Sequence, residues 1–218
     1  MNKFEQEILM PYPNTTIMAG TDEAGRGCLA GPLVVSAVIL PLNYVNDEIK
    51  DSKKLTVKQR NKLADEIMSI AISYTIEIIS VAMVETLNPK QASIIGMQQA
   101  IDNLMVKPDI ILTDAEKLGP FYHHQAIIKG DSLSQSIAAA SILAKVTRDN
   151  LMLKFDQDYP QYDFKNNKGY RTKKHLLALQ EFVITSLHRK TYRPVREAML
   201  KNNVNYKIGR INYLRVLN

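Results

Sequence analysis

At 218 residues, with 45% hydrophobic and 23% charged residues, the chain has the composition of an ordinary globular protein able to bury a full core. No apolar run approaches the roughly 20 residues of a membrane span, the first six residues lack the apolar core of a signal peptide, and the lone Cys28 rules out an internal disulfide, so a cytoplasmic protein without membrane contact is expected. The net charge of +6 is uneven: from Lys165 onward 13 Lys and Arg face only Glu181 and Glu197, a balance of +11, so the first 164 residues sum to −5.

A basic final third beside an acidic-leaning body is the footprint expected for a polyanion next to a carboxylate site. A solvated basic tail would give the same count. In chain order, Ile17, Met18 and Ala19 read as a short strand. It leads into Thr21 to Pro32, where Asp22 and Glu23 stand at a strand end, followed by Gly25, Gly27 and Gly31. Neighbouring strand residues point to opposite faces, so the pair shares a ligand only where the chain bends or twists. Glycines permit that bend and let backbone N–H groups approach a ligand closely. Paired carboxylates beside Arg26 and bare backbone suit a divalent cation and a phosphodiester. The plain alternative is a turn with a solvated acidic pair. Against it, Leu33 to Leu40 follows as a buried strand broken only by Ser36, and a carboxylate abutting such a strand needs partners. Cys28, with no histidine near it in sequence, is not read as a nucleophile.

Pro41 to Tyr44 makes a turn and Asp51 to Leu55 a polar loop. Thr56 with Gln59 forms a capping box ahead of a helix carrying Leu63, Ile67 and Ile70. Ile72, Tyr74, Ile76 and Ile78 alternate with Ser73, Thr75 and Glu77, the pattern of a half-buried strand. A second helix starts with Asn88 as N-cap and Pro89 at its first position, with Ile94, Met97, Ile101 and Met105 as its apolar face. Pro108-Asp109 turns the chain into Ile110 to Leu112, a buried strand ending at Thr113-Asp114; Ala126 to Ile128 is another apolar run, stopping at Lys129-Gly130-Asp131. Three apolar runs thus finish in acids. Each alone reads as well as a turn or cap aspartate, and Asp131 could simply favour the positive end of the helix from Ser134 to Phe155. Together on one sheet they would gather four carboxylates.

That helix opens with the small-residue run Ile137 to Ser141 and carries Lys145, Arg148 and Lys154 further on. Lys168-Gly169-Tyr170-Arg171-Thr172 combines glycine, an aromatic ring and cations, the ingredients for gripping a sugar–phosphate backbone; Tyr170 as a core aromatic is the competing view. A helix from Thr172 through Phe182 precedes His188 to Pro194. His123 and His124 lie in a loop without ligand spacing and His175 on a helix, so no histidine is expected to ligate a metal.

The stretches Asp22-Glu23-Ala24-Gly25-Arg26-Gly27 with Ala30-Gly31-Pro32, Asp51-Ser52-Lys53-Lys54-Leu55, Thr113-Asp114, Lys129-Gly130-Asp131, Ser136 to Asp149, Lys168-Gly169-Tyr170 and His188-Arg189 occur in one order. The ordered set resembles bacterial ribonuclease HII, the type 2 ribonuclease H, over about residues 16–200. The resemblance implies an α/β, RNase H-like fold: a five-stranded mixed sheet flanked by helices, with a helical C-terminal extension. The catalytic domain would be 16–200, its basic substrate-binding extension starting at about 160, and 201–218 a tail without assigned role. The implied activity is cleavage of the RNA strand of RNA–DNA hybrids and nicking of duplex DNA 5′ to an embedded ribonucleotide, leaving 3′-hydroxyl and 5′-phosphate ends.

The family's four catalytic acids fall on Asp22, Glu23, Asp114 and Asp131, expected to hold two Mg²⁺ or Mn²⁺ ions, with Asp22 and Asp114 as main ligands. Its Gly-Arg-Gly motif, here Gly25, Arg26 and Gly27, reads the ribose 2′-hydroxyl, Tyr170 packs against the sugar at the RNA–DNA junction, and Lys53 and Lys54 match positions near substrate phosphates. A monomer is expected, with a replication or repair partner left unidentified. Three positions depart from the family: Arg171 for a small residue or proline, Leu133 for a basic residue, and Asp163 for glycine. Two other classes compete. A structure-selective DNA nuclease on this fold would share the acids but need no 2′-hydroxyl reader. A non-catalytic nucleic-acid-binding module would need the basic third but not four acids repelling phosphate.

Overall fold

The strand that carries the paired acids is the middle of the sheet. The computed structural model describes residues 2–13, 16–50 and 52–201; Asp51, the Lys54 side chain and all of the tail beyond Lys201 lie outside the described residues. Strand β1 (Met18–Ala24) runs antiparallel to β2 (Leu33–Ile39), and β2 antiparallel to β3 (Ser73–Ile79). On the other side β4 (Ile110–Asp114) is parallel to β1, and β5 (His124–Ile127) parallel to β4. The order is β3-β2-β1-β4-β5, a five-stranded mixed sheet. β2 is buried on both faces, which explains its near-continuous apolar run.

Helix α1 (Lys3–Leu9) precedes the sheet, α2 (Val57–Ile70) follows β2, and α3 (Val81–Leu87) and α4 (Pro89–Asp102) follow β3. One face of the sheet, with Val35, Ala37 and Ile39, packs on α3 and α4 through Val84, Ala92, Met97 and Ala100. The opposite face, with Val38, packs on α2 through Leu63 and Ile67. It also meets α6 (Gln135–Asp158), which follows the four-residue α5 (Gly130–Leu133). α6 lies directly on β1: a Cβ at Gly20 would come within 2.1 Å of the Ser136 carbonyl carbon, so only glycine fits there. Among the described residues, no helix is long and apolar enough to cross a membrane.

The expected caps form. Thr56 accepts from Gln59 N while the Gln59 side chain returns to Thr56 N, and Asn88 accepts from Lys90 N and Gln91 N. Two expectations need correction, and two helices were not foreseen. β3 is an edge strand, and its polar set faces α4: Thr75 Oγ1 donates to the Ala100 carbonyl and Glu77 accepts from Asn103, leaving Tyr74 and Ile78 exposed. α3 is an additional helix, ending at the Asn88 cap. Met105 lies beyond α4 and is 94% exposed, whereas Met97 and Ile101 of the expected face are buried against the sheet together with Ala92, Gly96 and Ala100. The polar N-terminus forms α1, whose Glu5 is buried and accepts from Ser136 N and Ser134 Oγ, placing a carboxylate at the N-terminus of α6.

At 24 residues, α6 extends beyond the sheet to meet the C-terminal extension. There α7 (Phe164–Asn167), α8 (Lys173–Glu181) and the helical residues 193–201 gather around Met152, Tyr162, Phe164, Leu179 and Val195. Asp163, where the resemblance expects glycine, has φ 57°, the left-handed conformation that glycine adopts freely. Its carboxylate compensates by accepting from Asn166 and pairing with Lys174 at 3.1 Å.

Candidate active site

β1 runs through the paired acids rather than stopping before them. Asp22 is in register with Ser36 and Glu23 with Val35, so adjacent side chains leave on opposite faces near the strand's end. Asp22, 5% exposed, turns towards α6, where the Ser141 hydroxyl holds its carboxyl down against burial; Ser141 in turn meets Ser52 Oγ at 3.0 Å. Glu23 turns the other way and pairs with Arg26 Nη2 at 2.8 Å. Arg26 is also held by Glu116 at 2.8 Å and by Ser93 Oγ at 3.2 Å. Glu23 Oε2 is buried without a hydrogen-bond partner.

Parallel pairing of β4 with β1 aligns Thr113 with Thr21 and so brings Asp114 beside the pair. Asp114 Oδ1 accepts from Gly130 N at 2.8 Å, which draws the start of α5 against it. Asp131 is therefore carried on α5, four residues beyond the end of β5, and not at a strand end as the apolar runs imply. It is buried, and Lys53 Nζ lies 3.3 Å from its Oδ2.

The electrostatics of this cluster are repulsive. Burial drives the Asp22 carboxyl well above its usual range, and Glu23 and Asp114 push it further. Burial also raises Glu23, with Arg26 opposing and Asp114 adding to the shift. Burial raises Asp114, the Gly130 N–H opposing and Asp131 adding. Crowded acids with an orphaned carboxylate oxygen and oxygen-only donors fit a hard divalent cation. Among the described residues, no three of these groups close into a metal-holding set. Arg26 draws Glu23 to one side and Lys53 holds Asp131 on the other.

A cleft of about 200 Å³ joins these acids to the glycine-rich turn; it is lined by Asp22, Glu23, Asp114, Gly25, Arg26, Gly27, Lys53 and Tyr170, together with Ser52, Ser141 and Lys145. Of the expected site residues, only Asp131, which stands behind Lys53, and Lys54, whose side chain is outside the described residues, are not among its walls. Gly25 has φ 96°, and a Cβ there would sit 2.0 Å from Arg148 Nε. Around Gly27, by contrast, a Cβ would meet nothing within 4 Å. The Tyr170 ring lies beside the Lys145 ammonium, 5.5 Å from its centroid.

Two arginines hold the turn, and both are buried. Arg148 donates to the carbonyls of Pro32, Lys168 and Ala30 at 2.8–2.9 Å. Arg189 donates to those of Gly31 and Arg26 at 2.9–3.1 Å, and Tyr192 Oη adds a bond to the Arg26 carbonyl. Leu29 N donates to Gly169 O, tying the turn to the Lys-Gly-Tyr segment. The basic third is thus partly structural: Arg189 is buried, and Lys165, Lys174 and Arg193 pair with Asp156, Asp163 and Glu197. The sequence reading missed Ser141, Ser93, Glu116 and Lys145 as members of the site. Lys145 had a usable signal, since it lies one helical turn beyond Ser141 on the same helix. Glu116 had none, because only the fold brings it to Arg26.

The model of the family Ribonuclease HII matches residues 19–195. Ribonuclease HII of Mycoplasma mycoides subsp. mycoides SC is 51% identical over 196 residues, covering 89% of this chain and 94% of that one. The crystal structure of ribonuclease H2 from Pyrococcus horikoshii OT3 superposes with a TM-score of 0.76 at 26% identity, over 85% of this chain and 98% of that one. Bst-RNase HIII in complex with Mn²⁺ shares the fold, with a TM-score of 0.66 at 16% identity, over 85% of this chain and 70% of that one.

Proposed function

This chain belongs to the ribonuclease HII family, and from that premise we propose that it cleaves the RNA strand of RNA–DNA hybrids and nicks duplex DNA 5′ to an embedded ribonucleotide. The observation that carries the reading is the single cleft in which Asp22, Glu23 and Asp114 face the Gly25–Gly27 turn and Tyr170. Acids alone would serve any phosphodiesterase. A backbone turn open to solvent at Gly27 adds a site where a 2′-hydroxyl can reach peptide groups, and that hydroxyl locally distinguishes RNA from DNA.

In this reading Asp22 and Asp114 hold divalent ions, with Glu23 and Asp131 completing the set. Mg²⁺ or Mn²⁺, two per active complex, would supply a water nucleophile at neutral pH and charge stabilisation for the leaving oxygen. The Mn²⁺ bound to Bst-RNase HIII, a protein of the same fold, supports the class of ion. Lys53 and Lys145 at the cleft wall bind substrate phosphate, Gly25 to Gly27 orient the ribose, and Tyr170 packs on the adjoining sugar. The products are a 3′-hydroxyl and a 5′-phosphate.

The test is an end-labelled DNA duplex with one ribonucleotide, beside an all-DNA duplex, with and without Mg²⁺ or Mn²⁺. A metal-dependent nick immediately 5′ to the ribonucleotide, with the control intact, is the expected result. Equal cutting of both duplexes would make the chain a general nuclease. Binding without cutting under either metal would leave only a nucleic-acid-binding module.

A further inference from the structure

Two imidazoles lie fully buried outside the acid cluster. His175 on α8 and His188 in the loop after it pack against Tyr162 and Phe164, and neither is used in the cleavage described above. Their Nε2 atoms are 3.2 Å apart, so between neutral rings one must donate and the other accept. The backbone N–H of Thr185 donates to His188 Nδ1 at 3.0 Å, which puts the His188 proton on Nε2. His175 Nε2 therefore accepts, the His175 proton sits on Nδ1, and that group donates to the Tyr170 carbonyl 3.0 Å away. Burial lowers both rings' proton affinity, His188 to about 3, which keeps the pair neutral at pH 7. Two rings of opposite tautomer satisfy all three bonds.

We propose that His188 and His175 are positioning residues that fix Tyr170 relative to the Gly25–Gly27 turn. The inference rests on the reading of Tyr170 as the residue that packs against the substrate sugar. The segment that begins the relay also holds the turn: Gly31 N donates to the Leu187 carbonyl, Arg189 N donates to Leu29 O, and the Arg189 guanidinium holds Gly31 and Arg26. Residues 185–189 thus reach both sides of the cleft, one through an arginine and the other through two histidines. The other backbone bonds at Tyr170 are local, to Asn167 and Thr172, and Lys168 and Gly169 before it are both left-handed. The side-chain tie on its carbonyl is His175 Nδ1, which passes it through His188 to residues 185–189.

The test compares His175→Asn with His175→Gln. Both remove the ring from the same apolar cage, but only the asparagine amide keeps a donor near the Nδ1 position; the glutamine amide lies nearer that of Nε2. A purely structural role predicts equal activities for the two folded variants. The relay predicts that kcat/KM on a duplex with one ribonucleotide is about five- to tenfold lower for His175→Gln than for His175→Asn. It also predicts that the gap vanishes when Tyr170→Ala is added. Equal activities, or a gap that survives Tyr170→Ala, would overturn the relay. Normal cleavage by Tyr170→Ala alone would instead overturn the reading of Tyr170, and with it this purpose for the pair. Imidazole ¹⁵N spectra separate the two failures: the relay requires opposite neutral tautomers at pH 7, and matching tautomers would refute it whatever Tyr170 does.

Discussion

Two regions of this molecule bury ionisable groups, and they treat them in opposite ways. At the end of β1 and β4, Asp22, Glu23 and Asp114 are crowded together, each raised by burial and by at least one other acid, with Glu23 Oε2 left without a partner. Under the glycine turn, Arg148 and Arg189 are fully buried, yet each gives its guanidinium hydrogens to carbonyls that the turn cannot satisfy by itself. The first region stores repulsion that a cation would relieve; in the second, every guanidinium nitrogen is answered by a carbonyl or hydroxyl oxygen. In the proposed reading, the incompletely satisfied cluster carries the chemistry and the satisfied one supports it.

The sharpest way to break the comparison is to remove one charge from each region. Asp22→Asn should lower metal-dependent turnover by about a thousandfold or more while raising the melting temperature of the metal-free protein by about a few degrees, because the acid that burial and repulsion penalise most is gone. Cleavage assays and melts in EDTA check both halves; unchanged turnover, or a lower melting temperature, would contradict the reading. Arg148→Met should do the reverse. It leaves the carbonyls of Pro32, Ala30 and Lys168 without their donors and should cost about 3 kcal/mol or more in urea unfolding.

The acids were the legible half of this contrast, because each follows an apolar run and the spacing of those runs is local information. The arginines were not. A buried arginine answered by backbone carbonyls of the turn and of Lys168 has no sequence signature; Arg148 read as one charged position on its helix, and Arg189 as part of the basic final third. β3 misled for a related reason: its alternation is real, but at a sheet edge Thr75 bonds to α4 and Glu77 to the Asn103 cap that ends it, so the polar face is partly covered while Tyr74 and Ile78 are exposed. The caps at Thr56 and Asn88 were readable because capping is settled within three residues. Asp131 was expected where an apolar run stops, and its place on α5 was not legible, since Gly130 N bonding to Asp114 is a tertiary contact.

A finer cut separates the two glycines of the turn. Gly25→Ala forces an L-residue to φ 96° and drives its Cβ into Arg148, so it should destabilise the fold by roughly 1–2 kcal/mol or more and impair cleavage through the support. Gly27→Ala meets nothing within 4 Å and should leave urea unfolding unchanged. If Gly27 is where the substrate approaches the backbone, the added methyl lowers cleavage of a single embedded ribonucleotide nonetheless. Full activity in Gly27→Ala would remove that part of the turn from 2′-hydroxyl reading.

The smallest effect expected is on the pH dependence of stability. His175 and His188 are held below their unfolded pKa, so the unfolded chain binds more protons below about pH 6.5, and this pair destabilises the fold as pH falls through that value. Asp22, Glu23 and Asp114 are raised, so the native state takes up protons first, and their repulsion is relieved as pH falls towards about 4. Between pH 7 and 5 the two contributions oppose each other in the metal-free protein. Asp22→Asn removes the largest part of the acid arm but leaves the histidine arm. Its melting temperature in EDTA should therefore fall more steeply with acidification than that of the parent chain, the two curves converging at low pH. Parallel curves would mean that the acids do not carry the buried repulsion on which the contrast depends.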